Sequence, residues 1–291
     1  MPCGILIIDK PMDWTSQDVA AKLRGVFHER RIGHGGTLDP MATGVLPVFV
    51  GRATRGVEFF ESAQKEYVAG LRLGLTTNTQ DTTGETLSQR PVSVSREELE
   101  AVLRRFLGPQ EQLPPMYSAV KLGGKKLYEL ARQGKTVERQ PRAIEIFELT
   151  LLDGGGADWQ LRVRCSKGTY VRTLCHDIGE ALGCGGCMSS LRRTMAGCFD
   201  LSRAVTMEEV LRCENPEALL IPVDTLFSEL PRVTVPDNQL RAIRNGAAVR
   251  ARALKEGEYR VYDSAGRFLM LGRAEQGMLK TVKSFFEVNE P

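Results

Sequence analysis

A chain of 291 residues, 42% apolar and 26% charged, is long enough for one substantial core and a smaller second domain. Its apolar runs, Ile5-Leu6-Ile7-Ile8 and Val45-Leu46-Pro47-Val48-Phe49-Val50, are too short to cross a bilayer, and its seven scattered cysteines, an odd number, form no disulfide framework. The formal charge of +3 is unevenly spread: residues 231–291 carry 11 lysines and arginines against 7 acidic residues, the first 230 residues 28 against 29, so a basic C-terminal module points to a polyanionic partner.

Residues 4–9 read as a buried strand with no charged-then-apolar leader before it, so a cytoplasmic protein is the expectation. Lys10-Pro11-Met12-Asp13-Trp14 turns the chain. Thr15-x-x-Asp18 fits a capping box, and Val19, Ala20, Leu23 and Phe27 share one face of the helix that follows. That helix ends in His28-Glu29-Arg30-Arg31, which reads either as a solvated helix end or as a phosphate contact beside the next segment.

The next segment, Gly33-His34-Gly35-Gly36-Thr37-Leu38-Asp39-Pro40-Met41-Ala42-Thr43-Gly44-Val45-Leu46-Pro47, sets one carboxylate among glycines, a histidine and two prolines. It reads as an active-site loop. Gly33, Gly35, Gly36 and Gly44 permit positive φ or close approach to a ligand, while Pro40 and Pro47 stiffen the chain. Asp before Pro also suits a helix cap, but the breakers leave no room for a helix over 41–47, so Asp39 is expected to be presented to solvent.

Residues 67–74 alternate as a half-buried strand and lead into a polar loop over 76–84. Ser95 and Glu98 cap a helix striped by Leu99, Val102, Leu103 and Phe106. The segment from Leu113 through Tyr117 and Lys121 to Lys126 is stiff, then flexible, basic and aromatic, which suits nucleic acid. A strand over 161–165 and a helix over 173–182, closed by Gly183, follow. Cys184-Gly185-Gly186-Cys187 has the spacing of half a zinc site or a redox pair, yet lacks a second pair and reads as a glycine turn between ordinary thiols. Past Pro231 and Pro236, short alternating pieces separated by glycines form a small all-β module. Strand and helix signals mix without a βαβ rhythm, so the fold class is α+β.

His34-Gly35-Gly36-Thr37-Leu38-Asp39-Pro40, followed by Ala42-Thr43-Gly44, resembles the catalytic motif of the TruB-type tRNA pseudouridine-55 synthases. Further matches fall in the family's order. Asp9-Lys10-Pro11 with Thr15-Ser16 resembles its first motif, with Asp13 where glycine is usual. Lys65-Glu66-Tyr67 resembles the second; Cys165-Ser166-Lys167-Gly168-Thr169-Tyr170-Val171-Arg172-Thr173-Leu174 and Ser190-Leu191-Arg192-Arg193-Thr194 resemble the last two.

The resemblance implies a pseudouridine-synthase catalytic domain over 1–230, with a mixed, mainly antiparallel sheet flanked by helices and an RNA-clamping insertion at about 114–142. Residues 231–291 would be a small all-β, PUA-like RNA-binding domain. It implies Asp39 as the essential residue, Tyr67 against the target base, Arg172 paired with Asp39, and Leu191 packed inside the site. His34, Lys10, Tyr170, Arg192, Tyr117 and Lys121 fall on the RNA side. One carboxylate suffices as nucleophile, at C1′ or at uracil C6, so neither a metal nor an organic cofactor is expected. The partner is tRNA, through its T arm and loop, with no membrane, no protein partner and a monomer by default. Two other classes stay open: a tRNA-binding folding chaperone with catalysis secondary, and a zinc or thiol enzyme centred on Cys184 and Cys187.

Overall fold

The computed structural model describes residues 1–286. Ile5-Leu6-Ile7-Ile8 is apolar on both faces, which suits a strand buried on both sides. Gly4–Lys10 accordingly pairs antiparallel along its whole length with Thr43–Val50, from Gly4 opposite Val50 to Lys10 opposite Gly44. Ile5 and Ile7 enter one apolar cluster and Leu6 and Ile8 another, so the two faces of the sheet each carry a core.

The sheet has ten strands. Its main path runs Val205–Thr206, Gly4–Lys10, Thr43–Val50, Gly186–Ala196, Lys65–Leu73, Asp158–Cys165, Arg142–Gly155, Gly108–Gln112. Ile32–His34 is appended to Thr43–Val50 and Phe199–Asp200 to Gly186–Ala196. Val205–Thr206 on Gly4–Lys10 and Gly186–Ala196 on Thr43–Val50 are parallel; the other pairings are antiparallel, the mixed sheet expected.

Helix Ser16–Phe27 starts at the Thr15–Asp18 capping box and buries Val19, Ala20, Leu23 and Phe27. Helix Arg96–Leu103 has the expected Ser95–Glu98 box. The helix expected from 173 begins two residues earlier, as Val171–Ala181, and Gly183 leaves it at φ +79°.

Asp13, in the place where glycine is usual, sits at φ +66°, and its N–H donates to Pro40 O at 2.9 Å. Aspartate tolerates this left-handed backbone, whereas a β-branched residue is strained there. Asp13→Val is therefore expected to lower the melting temperature by about 3–8 °C, while Asp13→Gly holds it within about 2 °C in the same thermal melts.

The C-terminal module is a five-stranded sheet in the order Arg232–Thr234, Gly257–Tyr262, Phe268–Glu275, Met278–Ser284, Val249–Arg250. Among the described residues it also holds one short helix, Asp237–Arg244, beside the sheet. Pro236 fixes the chain entering that helix, whose Ile243 is buried in the module's core. The module docks on the sheet face away from helix Ser16–Phe27: Leu271 and Phe285 join Ile5, Phe49 and Phe227 in one cluster. The rings of Phe227, Phe268 and Phe285 stand 5.4–6.2 Å apart. Arg55 donates to Ser284, Lys283 pairs with Glu58, and the Tyr262 hydroxyl donates to Asp224.

Candidate active site

The chain leaves strand Ile32–His34, crosses the loop 35–42 and returns as strand Thr43–Val50. Backbone contacts hold this loop at several points. Gly35 N donates to Pro47 O at 2.8 Å, Leu38 N to Ser16 Oγ at 2.9 Å, and Ala42 N to Asp39 O at 3.0 Å. Gly36 and Gly44 take positive φ, Gly35 lies against the Phe60 ring, and Gly33 is ordinary strand. Gly44 has no alternative: a Cβ there would lie 2.2 Å from Arg193 O.

Asp39 is presented as expected, with its side chain 37% exposed. Arg172 Nε lies 3.0 Å from its Oδ2, and the guanidinium is 7% exposed. The other nitrogens of Arg172 are also occupied. Nη1 donates to Thr79 O at 3.0 Å and faces Asp81 Oδ2 at 3.5 Å, while Nη2 donates to Tyr117 O at 2.8 Å. The far oxygen of Asp81 accepts from Thr79 Oγ1, Thr83 N and Thr83 Oγ1 at 2.8, 3.0 and 2.6 Å. Arg172 thus joins an exposed carboxylate, a buried one and the entry to the excursion that leaves the sheet at Gln112 and rejoins it at Arg142.

Tyr67 is buried on strand Lys65–Leu73, opposite Arg193 in register. Burial raises its phenol above the ordinary range; the Arg193 guanidinium pulls it back, and Asp39 adds to the rise. Leu191 is buried two residues from Arg193 on strand Gly186–Ala196. His34 is held below its ordinary value by burial and then by Arg193, so its imidazole is neutral at pH 7. Its Nδ1 is buried without a hydrogen-bond partner among the described residues.

Lys10 is not on the RNA side: it is buried, and its ammonium donates to Pro11 O, Trp14 O and Pro40 O at 2.8, 2.5 and 3.1 Å. It ties the Asp13 turn to the Asp39 loop. Burial pushes its pKa down to about 8, against the pull of Asp13 and Asp39. Between about 8 and the ordinary 10.5 the unfolded chain holds a proton that the folded chain has released, so this group favours folding increasingly as pH rises. Thermal melts across that window are expected to show the native chain gaining on Lys10→Met; parallel curves would place the ammonium at its ordinary value.

Arg192 forms two bonds to Asp9, at 3.1 and 2.7 Å, and stays 42% exposed. Tyr170 precedes helix Val171–Ala181 and is fixed by Gln112, which accepts from its N–H and donates to its carbonyl. Tyr117 and Lys121 lie on the excursion, which holds the hairpin Lys121–Leu122 and Lys125–Lys126 and helix Leu127–Ala131. The basic cluster at 28–31 sits elsewhere. Ile32 pairs with Val50, six residues along the strand from Gly44, and six strand residues span about 20 Å. Arg31 pairs there with the buried Glu29, at the far end of that strand from the Asp39 loop.

Two residues of the site escaped the sequence reading. Asp81 lay unremarked in the polar loop, although a lone carboxylate among threonines invites a buried acceptor. Arg193 was passed over for Arg192, although strand alternation puts Leu191 and Arg193 on one face and Arg192 on the other. Cys184 and Cys187 are buried free thiols, and among the described residues no group of three or more His, Cys, Asp or Glu is placed to hold a metal.

The architecture recurs in solved structures. The crystal structure of a Cbf5-Nop10-Gar1 complex matches with TM-score 0.73 and 28% identity, over 98% of this chain and 86% of that one. The structure of an H/ACA RNP bound to a substrate RNA containing 2'-deoxyuridine matches with TM-score 0.73 and 26% identity, over the same shares. The fold is that of the pseudouridine-synthase class.

Three family models cover nearly the whole chain: TruB family pseudouridylate synthase (N terminal domain) at residues 24–171, tRNA pseudouridylate synthase B C-terminal domain at 172–228, and Pseudouridine synthase II TruB, C-terminal, at 231–282. The tRNA pseudouridine synthase B of Syntrophomonas wolfei is 45% identical over 300 residues, covering 99% of each chain. That of Azoarcus sp. (strain BH72) is 45% identical over 279 residues, covering 95% of this chain and 93% of its own. The chain belongs to the TruB family. It is an isomerase that forms pseudouridine in tRNA.

Proposed function

We propose that the uridine isomerised is position 55 in the T loop of tRNA, with Asp39 as the nucleophile. The observation that carries this reading is the ion pair between the exposed Asp39 and the buried Arg172, at 3.0 Å. The reaction breaks C1′–N1, turns the uracil and forms C1′–C5. Asp39 attacks C1′ or uracil C6, and in either case a covalent adduct holds one fragment while the base turns. Arg172 aims the carboxylate and offsets its charge. Tyr67 lays its ring against the uracil, its hydroxyl placed to help remove the C5 proton, and Leu191 backs the pocket.

Extruding the uridine costs a few kcal/mol, and stacking on an aromatic returns about 1–3 kcal/mol per base. The neutral imidazole of His34 suits the vacated space, where a charged one would be costly to bury. Tyr170, Arg192, Tyr117 and Lys121 hold the T arm from the rim and from the clamping insertion at about 114–142. The domain 231–291, with its excess of basic residues, holds RNA beyond the loop. The chain acts as a monomer in the cytoplasm.

The test is tritium release from a T-arm RNA labelled at uracil C5. The native chain is expected to release tritium from that RNA and none from the same RNA with cytidine at the target position. Tight binding of the T arm without release overturns the reading.

A further inference from the structure

Arg193 heads the fully buried side chains by volume, at 1% exposure. A buried guanidinium is ordinarily matched by a carboxylate, because its desolvation is otherwise uncompensated. Among the described residues no carboxylate stands within ion-pair distance of it; its partners are neutral. Nε donates to Val45 O at 2.6 Å and Nη2 to Gly36 O at 3.2 Å. Those carbonyls lie on the two stems of the Asp39 loop, and the backbone of Arg193 presses on Gly44 between them. Tyr67 is its cross-strand neighbour, and the cation draws the pKa of that buried phenol down against the rise that burial imposes.

The cation also bears on Lys65, Lys10 and His34, each of which burial and Arg193 together make less willing to hold a proton. An uncompensated positive charge under the loop suits a step in which negative charge develops, as when N1 leaves C1′ with the bonding electrons.

We propose that Arg193 is a positioning residue for the reaction: bonded to both stems of the Asp39 loop and set opposite Tyr67 in strand register, its guanidinium fixes the spacing between that loop and the Tyr67 hydroxyl. This rests on the roles given above to Asp39 and Tyr67.

The test is single-turnover tritium release at saturating protein for Arg193→Met and Arg193→Lys, each in the native and the Tyr67→Phe backgrounds, with RNA binding and thermal melts alongside. Arg193→Met is expected to slow the native chain by about a hundredfold, the effect of losing a near-attack geometry. RNA affinity should stay within about twofold, since the guanidinium does not reach the surface. Arg193→Lys restores part of the rate. In the Tyr67→Phe background the same substitutions should cost about tenfold less, because no hydroxyl remains to be aimed. Equal penalties in both backgrounds make Arg193 a structural prop and overturn the proposal. If Arg193→Met does not fold, Arg193→Lys completes the cycle with the same two outcomes. A Tyr67→Phe chain of native rate instead overturns the role of Tyr67 itself, which separates failure of the proposed function from failure of this inference.

Discussion

Asp39→Asn is expected to abolish pseudouridine formation while tRNA remains bound. The substitution keeps shape and volume and removes the one property the reaction requires, a carboxylate oxygen that can form a bond to carbon. Removing a nucleophile outright costs at least about four orders of magnitude in turnover. Stability should change little. Asp39 is more than a third exposed, and an ion pair open to solvent on one side contributes about 0–1 kcal/mol. The bonds that hold the loop, Leu38 N donating to Ser16 Oγ and Arg193 Nη2 donating to Gly36 O, do not involve the carboxylate. Tritium release and filter binding on one RNA separate the two effects. Release at the native rate from the asparagine variant would falsify the assignment of Asp39 as nucleophile, and loss of binding would move the residue to RNA recognition.

Which parts of this were legible beforehand follows from how local each determinant is. Strand Gly4–Lys10 and helix Ser16–Phe27 are written in neighbouring residues: an unbroken apolar run, a capping box, a stripe at helical spacing. The presentation of Asp39 was legible for the same reason, since glycines and prolines within a few residues leave the chain no helix. Lys10 was misplaced because its partners, Trp14 O and Pro40 O, are brought together only when the turn meets the loop. The cluster at 28–31 lies close to Asp39 in sequence and a strand's length away in space. Asp81 is 91 residues from the arginine it faces, and nothing in the polar loop itself reveals that distance closing. Helix Asp237–Arg244 is only eight residues long, and Leu240 and Ile243, one turn apart, are too short a stripe to stand out among the strands around it.

Arg172→Met is expected to remove both turnover and a large share of stability, through two different carboxylates. Asp81 is 6% exposed, and without the guanidinium its charge is buried against threonine hydroxyls and backbone alone. Breaking a buried pair from one side costs about 3–5 kcal/mol, which at 2–4 °C per kcal/mol for a chain of this size lowers the melting temperature by about 10 °C. Arg172→Lys should return much of that stability but little of the rate. One ammonium can sit near Asp81, but it cannot also reach Asp39, Thr79 O and Tyr117 O, which the planar fork serves together. The double variant Arg172→Met with Asp81→Asn separates the two functions. With no unpaired charge left inside, it should melt several degrees above Arg172→Met alone, while tritium release stays as low, because Asp39 still lacks its partner. A double variant that melts no higher than the single one would show that the buried carboxylate is not what Arg172 stabilises. A double variant that recovers turnover would show that Asp39 needs no guanidinium beside it.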